Sequence, residues 1–268
     1  MDSKISGPLC RAVCLFLALA PAALPAGTAE VIHVFVALCD NASQGIVPVP
    51  AKIGDGDKPD ANLYWGCSEG VRSWFAASKK WKRLPAVPSP RQEILERVIF
   101  KHRERDVYLV ADAWRGKEIK LCLQAFVTAA SSVGSETVKV NEDVEIDAGG
   151  DASLVAYVGH NGLMEFQVEW PAGKGGQSSD GAAVSKKAVM VLCCVSQSYF
   201  AGKLREVGAR PLLTTKQLMY PGAFVLHDAL EATFAGKDAA GVREAAGRAY
   251  AKNQGISVKA GLGVYAAE

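Results

Sequence analysis

Short apolar runs rich in Val, Ile and Leu alternate along the chain with segments in which apolar residues recur every three or four positions. The first pattern is typical of β-strands buried on both faces, and the second of amphipathic helices. Their alternation indicates repeated β-α-β units. Strands are predicted at residues 31–38, 107–111, 154–158, 188–192 and 210–213. The expected fold class is α/β, with a three-layer, doubly wound, mostly parallel sheet of about five or six strands and flavodoxin-like topology.

The helical pattern fills most of the chain between these strands. One helix is predicted to open at Ser89, where a capping box with Pro90 at the first helical position precedes apolar residues at 94, 95, 98 and 99. Other helices are predicted to begin near 68, to cover 119–127, to end before Gly208, and to span 221–235 and 238–253. Weaker patterns predict a hairpin or an edge strand at 137–146, an exposed loop at 172–183 and a final strand at 256–265.

The first residues have the pattern of a secretory signal peptide. Lys4 and Arg11 supply positive charge, residues 12–20 form an apolar core, and the small residues that follow offer cleavage sites after Ala26 or Ala29. A membrane-spanning helix needs about 20 apolar residues. The apolar core is shorter than that, so an uncleaved anchor is the weaker alternative.

Cleavage after Ala29 would leave residues 30–268, a length that one α/β domain commonly reaches. The whole chain has 30 basic and 28 acidic residues and a formal net charge of +2. Nucleic acids and anionic membranes require a basic surface, and this balance supplies none. We therefore expect a signal peptide at 1–29, one domain at 30–268 and a secreted or periplasmic protein, with neither nucleic acid nor membrane as a partner after cleavage.

Two of the seven cysteines, Cys10 and Cys14, lie in the predicted signal peptide, so the mature chain keeps an odd number. In an oxidising compartment an odd number leaves at least one thiol unpaired, either buried or reactive. The remaining cysteines are Cys39, Cys67, Cys122, Cys193 and Cys194. Their spacing matches no zinc motif, and no cofactor is predicted.

Residues with polar or reactive side chains lie within three positions of the end of each predicted strand. In open α/β sheets, ligands bind beyond the carboxyl ends of the strands. These ends carry acids, amides, hydroxyls, an imidazole and a thiol: Asp40, Asn41, Asp112, His160, Asn161, Cys194, Thr214 and Thr215. Their expected convergence on one edge of the sheet is the main functional signal in the sequence.

His160 follows a continuous apolar strand and lies between Gly159 and Gly162, which let a backbone or a substrate approach closely. An imidazole in this position can act as a general base or acid near neutral pH. The alternative is a structural histidine that caps a loop through hydrogen bonds.

Cys194 lies where a predicted strand gives way to a helix. The positive end of the helix dipole favours a thiolate, and the following backbone N–H groups suit an oxyanion. The alternative is that Cys193 and Cys194 are small buried apolar residues, as free cysteines usually are.

The long polar loop after the first strand has two further features. Asp55, Asp57 and Asp60 lack the spacing of an EF-hand, which favours an acidic turn over a bound cation. Tyr64 and Trp65 either line a substrate cleft or cover the core, and covering is favoured.

The blocks LVAYVGHNG at 154–162 and AVMVLCCVS at 188–196 resemble the paired motifs of caspase-like peptidases, a group that includes gingipains, separases and CHAT domains. In that group a strand ending in the catalytic His precedes a strand ending in the nucleophilic Cys. Residues 208–236 resemble CHAT domains, with Gly-Ala-Arg before a strand and Ala-Leu and Ala-Gly after it. The resemblance covers about residues 154–254.

This resemblance implies a caspase-like fold and a cysteine peptidase that acts on a peptide or protein. It makes His160 the catalytic imidazole and Cys194 the nucleophile that forms a thioester. It also implies an oxyanion hole formed by backbone N–H groups near Gly162 and at Cys194.

The sequence departs from the family pattern around both predicted catalytic residues. Asn161 stands where the family usually has Gly, and Cys193 and Val195 flank the cysteine where small or polar residues are common. These departures leave a catalytically inactive binding domain on the same fold as an alternative.

A second alternative comes from the strand ends alone. Asp40, Asp112 and His160 would hold a divalent cation in a metal-assisted hydrolase, which would lose activity to chelators and would not depend on Cys194.

Overall fold

The structure is a computed structural model that describes residues 29–172 and 187–268. The predicted signal peptide at 1–29 lies outside the described residues except for Ala29. Most of the loop predicted at 172–183 also lies outside them.

The described residues form one large mixed sheet and a separate two-stranded hairpin. The strands are β1 (Glu30–Ala37), β2 (Trp81–Arg83), β3 (Ile94–His102), β4 (Val107–Trp114), β5 (Ser135–Lys139), β6 (Glu145–Gly149), β7 (Leu154–Val158), β8 (Ala188–Leu192), β9 (Arg210–Thr215) and β10 (Tyr265–Ala266). The large sheet has the order β10-β9-β8-β7-β1-β4-β3-β2, and β5 pairs with β6. Strands β4, β1, β7, β8 and β9 are mutually parallel, whereas β2, β3 and β10 join antiparallel.

Helices pack against this sheet. Those in the described residues are α1 (Val71–Ala77), α2 (Ile119–Ala130), α3 (Gly202–Glu206), α4 (Ala223–Phe234), α5 (Ala239–Gln254) and α6 (Val258–Val264). A π-helical turn at Gln197–Ala201 leads directly into α3. None of the helices in this part of the chain combines the length and the apolar character that crossing a membrane requires.

Strand β1 is apolar at almost every position because it lies in the middle of the sheet and is covered on both faces. Its residues 32, 34 and 36 belong to one hydrophobic cluster, which also contains residues of α1, α4 and α5. Its residues 31, 35 and 37 belong to a second cluster, with residues of α2, α3 and the β5–β6 hairpin. Burying one such Val or Ile side chain fully stabilises the fold by roughly 1.5–3 kcal/mol.

The structure confirms the α/β class and the mostly parallel sheet. The five strands predicted from the strong apolar runs are present as β1, β4, β7, β8 and β9, and those at 154–158 and 188–192 have the predicted bounds. The sheet is larger than the predicted five or six strands because β2, β3 and β10 add antiparallel neighbours at its two sides. The segment at 137–146 belongs to a hairpin, one of the two predicted alternatives.

The prediction of a helix that begins at Ser89 is wrong, because residues 94–102 form β3. Val98 and Phe100 belong to one hydrophobic cluster and Ile99 to the other. A strand buried on both faces has neighbouring apolar residues, and such a run is also compatible with a helical stripe.

The C-terminal region was predicted with mixed success. Helix α5 begins after Asp238, whose side chain accepts a hydrogen bond from the Gly241 amide (2.9 Å), and ends at Gly255, which has a φ of +63°. This matches the predicted cap and stop. The strand predicted at 256–265 is wrong over most of its length, because α6 occupies it and β10 begins only at Tyr265.

Candidate functional site

The two residues singled out in the family resemblance follow neighbouring parallel strands. Val158 at the end of β7 is in register with Leu192 at the end of β8. The Gly159 amide extends this ladder by donating to the Leu192 carbonyl (3.3 Å). His160 and Cys194 therefore leave the sheet from adjacent strands at the same edge.

Asn161 joins the two segments directly. Its side-chain Nδ2 donates to the Cys194 carbonyl (2.7 Å), and its Oδ1 accepts from the Leu163 amide (3.2 Å). The side chain is fully buried. Asn161 therefore fixes the loop after β7 against the loop after β8, so its role is structural within the predicted site.

The His160 imidazole is buried, with 8% of the residue exposed, and its Nε2 lies 2.6 Å from Oε1 of Glu165. The same carboxylate oxygen accepts from the Gly45 amide (3.0 Å) in the loop after β1. A Cβ atom at Gly45 would lie 2.2 Å from that oxygen, so a larger residue there would displace the Glu165 carboxylate from its present position. The carboxylate fixes the imidazole and leaves Nδ1 as the nitrogen available to accept a proton.

Cys194 is only partly buried, and its sulfur is held by main-chain groups of Met219. The Met219 amide donates to Sγ (3.4 Å), and Sγ lies 3.6 Å from the Met219 carbonyl oxygen. Cys193, in contrast, is fully buried in a hydrophobic cluster.

The backbone turns sharply after Cys194. Val195 has a φ of +45°, a conformation that is strained for a β-branched residue. The Val195 amide donates to the Gln217 carbonyl (3.0 Å), which anchors the turn to the segment after β9. Backbone strain of this kind concentrates at functional sites because the surrounding structure must enforce it.

Ser196 and Thr215 form the main support of this turn. The Ser196 amide donates to Thr215 Oγ1 (3.0 Å), and the Thr215 amide donates to Ser196 Oγ (2.9 Å). Thr215 Oγ1 also donates to the Cys193 carbonyl. Sequence reasoning missed this role for Ser196, whose only signal is its position two residues after the cysteine.

Several predicted lining residues have structural roles instead. Thr214 and Thr215 are buried within β9, so neither lines an accessible site. The Gly162 amide, which the family resemblance assigned to the oxyanion hole, donates to the His160 carbonyl (3.1 Å).

Asp40 and Asn41 organise the loop after β1. The Asp40 carboxylate accepts from Ser43 Oγ (2.5 Å), and Asn41 exchanges two side-chain hydrogen bonds with the backbone of Val49. Both residues line a cleft of about 480 Å³ that also includes Lys117. They therefore lie beyond β1 as expected.

Asp112 is the clearest correction among the predicted site residues. It does not end its strand, since β4 continues to Trp114, and its side chain is 1% exposed. Its oxygens accept from Arg97 on β3 and from His33 on β1. A charged residue can continue a buried strand here because a cation from the neighbouring strand compensates it.

The described residues contain no group of three or more His, Cys, Asp or Glu side chains arranged to hold a metal ion. In the acidic loop, Asp55 pairs with Lys58 (2.7 Å), Asp60 with Arg72 (2.7 Å), and Asp57 with Arg115. Each acid is therefore balanced by its own basic partner, as in an ordinary acidic turn. The metal-assisted alternative required Asp112 as a ligand, but its oxygens already accept hydrogen bonds from Arg97 and His33.

Tyr64 lies close to Cys39 and Cys194. It is buried, and burial raises its pKa well above the usual value, as do the neighbouring Cys39 and Cys194 thiols. Burial also raises the pKa of Cys39 to about 11, even though a hydrogen bond from Tyr64 opposes the shift. Trp65 is completely buried and covers the core, as favoured from the sequence.

All cysteines within 29–172 and 187–268 are free. Three are buried: Cys39, Cys122 and Cys193. Cys67 and Cys194 alone among them are partly exposed. Comparison of the chain with known proteins gives no match to a protein-family model, to a curated protein or to a solved structure.

Proposed function

We propose that this chain is an exported, caspase-like cysteine hydrolase whose catalytic pair is His160 and Cys194, and that its substrate is a peptide or protein. One observation carries the proposal. The register of β7 and β8, together with the hydrogen bond from Asn161 to the Cys194 carbonyl, holds an imidazole and a partly exposed thiol on adjacent loops at one sheet edge.

The topology supports this proposal. The parallel strands have the order β4-β1-β7-β8-β9, in which β1 is an interior strand and later strands of the chain lie on both sides of it. We interpret this order, with helices from two hydrophobic clusters, as the doubly wound, three-layer arrangement of the caspase-like group. The ligand edge of such a sheet lies beyond the carboxyl ends of its strands.

In the proposed reaction the Cys194 thiolate attacks the acyl carbon of a scissile amide. As the tetrahedral intermediate collapses, the C–N bond breaks and protonated His160 donates a proton to the leaving amine. A water molecule then gives a proton to His160 and attacks the resulting thioester. The C–S bond breaks, the carboxylic acid leaves, and the proton on His160 returns to the Cys194 sulfur to restore the thiol. The carboxylate of Glu165 stabilises the imidazolium that forms in this cycle.

The oxyanion donor of the proposed enzyme is the backbone N–H of Cys194. Of the two predicted positions, Gly162 already uses its amide within the turn that follows His160. The strained φ of Val195 directs the chain away from the strand immediately after the nucleophile, which is the geometry of an exposed nucleophile on a sharp turn.

A catalytically inactive binding domain is the second candidate. It is favoured by the two main-chain contacts of the Cys194 sulfur with Met219, because they hold the thiol in a fixed, partly buried position. The sequence also differs from the caspase-like pattern at Asn161, Cys193 and Val195, which likewise favours the binding domain. A measurement of thiol reactivity separates the two candidates.

The test is iodoacetamide labelling of purified residues 30–268, followed by mass spectrometry, in a Cys67→Ser background and in a Cys67→Ser/His160→Ala variant. A nucleophile predicts rapid labelling of Cys194 at neutral pH and a slower, differently pH-dependent rate without His160. Hydrolysis of a quenched fluorescent peptide library then checks turnover. Activity must vanish in Cys194→Ser and persist in Cys67→Ser.

If Cys194 resists labelling until the protein is denatured, the hydrolase is excluded and the binding domain is favoured. A labelled thiol with no hydrolysis of any peptide would also favour the binding domain.

A further inference from the structure

A second cavity lies away from the proposed catalytic pair. It has a volume of about 470 Å³, opens to solvent and is lined by residues of strands β1, β3 and β4, helix α2 and the β5–β6 hairpin. Neither His160 nor Cys194 lines it. The proposed hydrolase makes no use of this cavity.

Its polar wall is a network centred on Arg97, which is only 4% exposed. Nε and Nη2 of Arg97 donate to the two oxygens of Asp112, both at 2.6 Å. On its other side, Nη1 and Nη2 donate to the two oxygens of Glu136 at 2.5 and 3.1 Å. One guanidinium therefore lies between two carboxylates.

His33 completes the network as a neutral group. Its Nδ1 accepts a hydrogen bond from the Gly149 amide (3.0 Å), so that nitrogen carries no proton. The proton is then on Nε2, which donates to Oδ2 of Asp112 (3.0 Å). With His33 neutral, the network holds one positive and two negative charges and has a net charge of −1.

The two carboxylates differ in accessibility. The Asp112 side chain is 1% exposed, and its oxygens are occupied by Arg97 and His33. Burial alone would raise the pKa of Asp112, but hydrogen bonds from Arg97 and His33 hold it below its usual value. The Glu136 side chain is 32% exposed, so it is the negative group that an incoming ligand can reach.

The remaining walls are mainly apolar. Phe35, Ile94 and Trp114 contribute from the sheet, and Leu121 contributes from α2. Leu121 is 40% exposed, which places an apolar group at a solvent-accessible part of the wall. Small-molecule sites typically combine apolar walls with a few placed polar groups in this way.

We propose that this cavity binds an organic amine with an apolar body, whose ammonium group pairs with Glu136 and whose body packs against Leu121 and Ala125 of α2. The excess negative charge selects a cation, and the apolar walls exclude a bare metal ion or a strongly hydrated polyamine. Glu136 retains acceptor capacity for this ligand because each carboxylate oxygen has two lone-pair positions.

The positive charge of Arg91 does not remove the preference of the cavity for a cationic ligand. It lines the cavity, but its guanidinium is paired with Glu93 at 3.1 Å and lies over the Trp114 ring, 5.3 Å from the centroid. Its charge is therefore compensated by a residue outside the network.

The test is isothermal titration calorimetry of residues 30–268 with three probes of matched size: 2-phenylethylamine, 3-phenylpropionate and 2-phenylethanol. We expect the amine to bind and the carboxylate to bind at least about tenfold more weakly, since a charge-assisted hydrogen bond to Glu136 contributes only for the amine. The alcohol measures the contribution of the apolar walls alone.

Glu136→Gln removes the selecting charge and should reduce the amine affinity at least about tenfold, towards that of the alcohol. Glu145→Gln is the matched control, because Glu145 is an exposed carboxylate of the same hairpin that does not line the cavity. Ala125→Phe, on the α2 wall, adds bulk to the cavity without replacing a charged residue and should abolish binding of all three probes. Circular dichroism checks that each variant is folded.

Three results would overturn the proposal: no heat of amine binding at concentrations up to ~10 mM, a carboxylate that binds as well as the amine, or amine binding that Glu136→Gln leaves unchanged. Cys194→Ser should bind the amine like the parent protein. These experiments therefore test the amine site separately from the proposed hydrolase.

Discussion

Nε2 of His160 and Oε1 of Glu165 lie 2.6 Å apart, within a short turn that brings the carboxylate back over the imidazole. The Gly45 amide binds the same oxygen from the loop after β1. The orientation of His160 is thus set by a residue five positions later in the chain and by a loop that is more than 100 residues away. In the proposed enzyme, Glu165 is the positioning residue of the catalytic imidazole.

Replacing Glu165 with Gln should lower the rate of peptide hydrolysis by at least about tenfold, because the amide cannot stabilise the imidazolium and does not fix the tautomer. The pH profile of Cys194 labelling should also change, since the charge beside His160 is lost. Glu169→Gln is the control, because Glu169 is an exposed acid of the same loop. Equal pH profiles in the parent and Glu165→Gln proteins would assign Glu165 a merely structural role.

Asn161→Ala should destabilise the fold by roughly 1–3 kcal/mol, because the fully buried side chain makes two hydrogen bonds and its loss leaves the Cys194 carbonyl unpaired. Urea unfolding followed by tryptophan fluorescence measures this change. Asn141→Ala is the comparison, since Asn141 caps an exposed turn of the β5–β6 hairpin and should have a smaller effect. A smaller loss for Asn161→Ala than for Asn141→Ala would contradict the proposed coupling of the two site loops.

The strands that carry the candidate pair could be predicted because they are short and strongly apolar. Residues 154–158 are buried at every position, and 188–192 at all but the first. Gly159 ends the first apolar run, and the pair Cys193-Cys194 follows the second. Neither strand needs a long-range partner to be recognised.

Other parts depend on contacts that a single sequence does not display. From the sequence, Asp112 is predicted to end its strand. The strand continues because Arg97 on the neighbouring strand compensates the charge of Asp112. Glu165 is an exposed loop acid without a pattern, and its role arises only because Gly45 and His160 approach it. The sequence therefore predicts which residues leave the sheet at the ligand edge, but not the residues that orient them.

Val195→Gly should raise the free energy of unfolding by roughly 0.5–1 kcal/mol, because relief of the strained φ of +45° exceeds the added entropy of the unfolded chain. Thermal unfolding measures the gain. Ser132→Gly provides a matched control, since Ser132 also has a positive φ (57°) but follows α2, away from Cys194. Peptide hydrolysis should fall in Val195→Gly alone. A loss of stability there would show that the turn is not strained.

Native labelling with iodoacetamide at pH 8 should modify Cys67 and Cys194 and spare Cys39. The raised pKa of Cys39, about 11, keeps its thiol almost entirely protonated at pH 8, and burial blocks access as well. Peptide mapping by mass spectrometry distinguishes the sites. Tyr64→Phe removes the hydrogen bond that favours the Cys39 thiolate, so Cys39 should remain unlabelled in that variant too. Early labelling of Cys39 would mean that the core around Tyr64 opens at this pH.

Asp112→Asn should destabilise the fold at pH 7 by about 3–5 kcal/mol, because Arg97 would lose one of its two carboxylate partners in a buried position. The pKa of Asp112 in the folded protein lies below its usual value. Its stabilising contribution is therefore complete above the unfolded pKa of about 3.9 and is lost as the pH falls through the lower folded value.

Urea unfolding at pH 7, 4 and 2.5 measures this dependence. The difference in the free energy of unfolding between the parent protein and Asp112→Asn should shrink as the pH falls. Asp147→Asn, on the exposed face of the β5–β6 hairpin, should show little difference at any pH. A constant difference for Asp112→Asn would mean that the asparagine acts through packing, and that the charge pair with Arg97 adds nothing to stability.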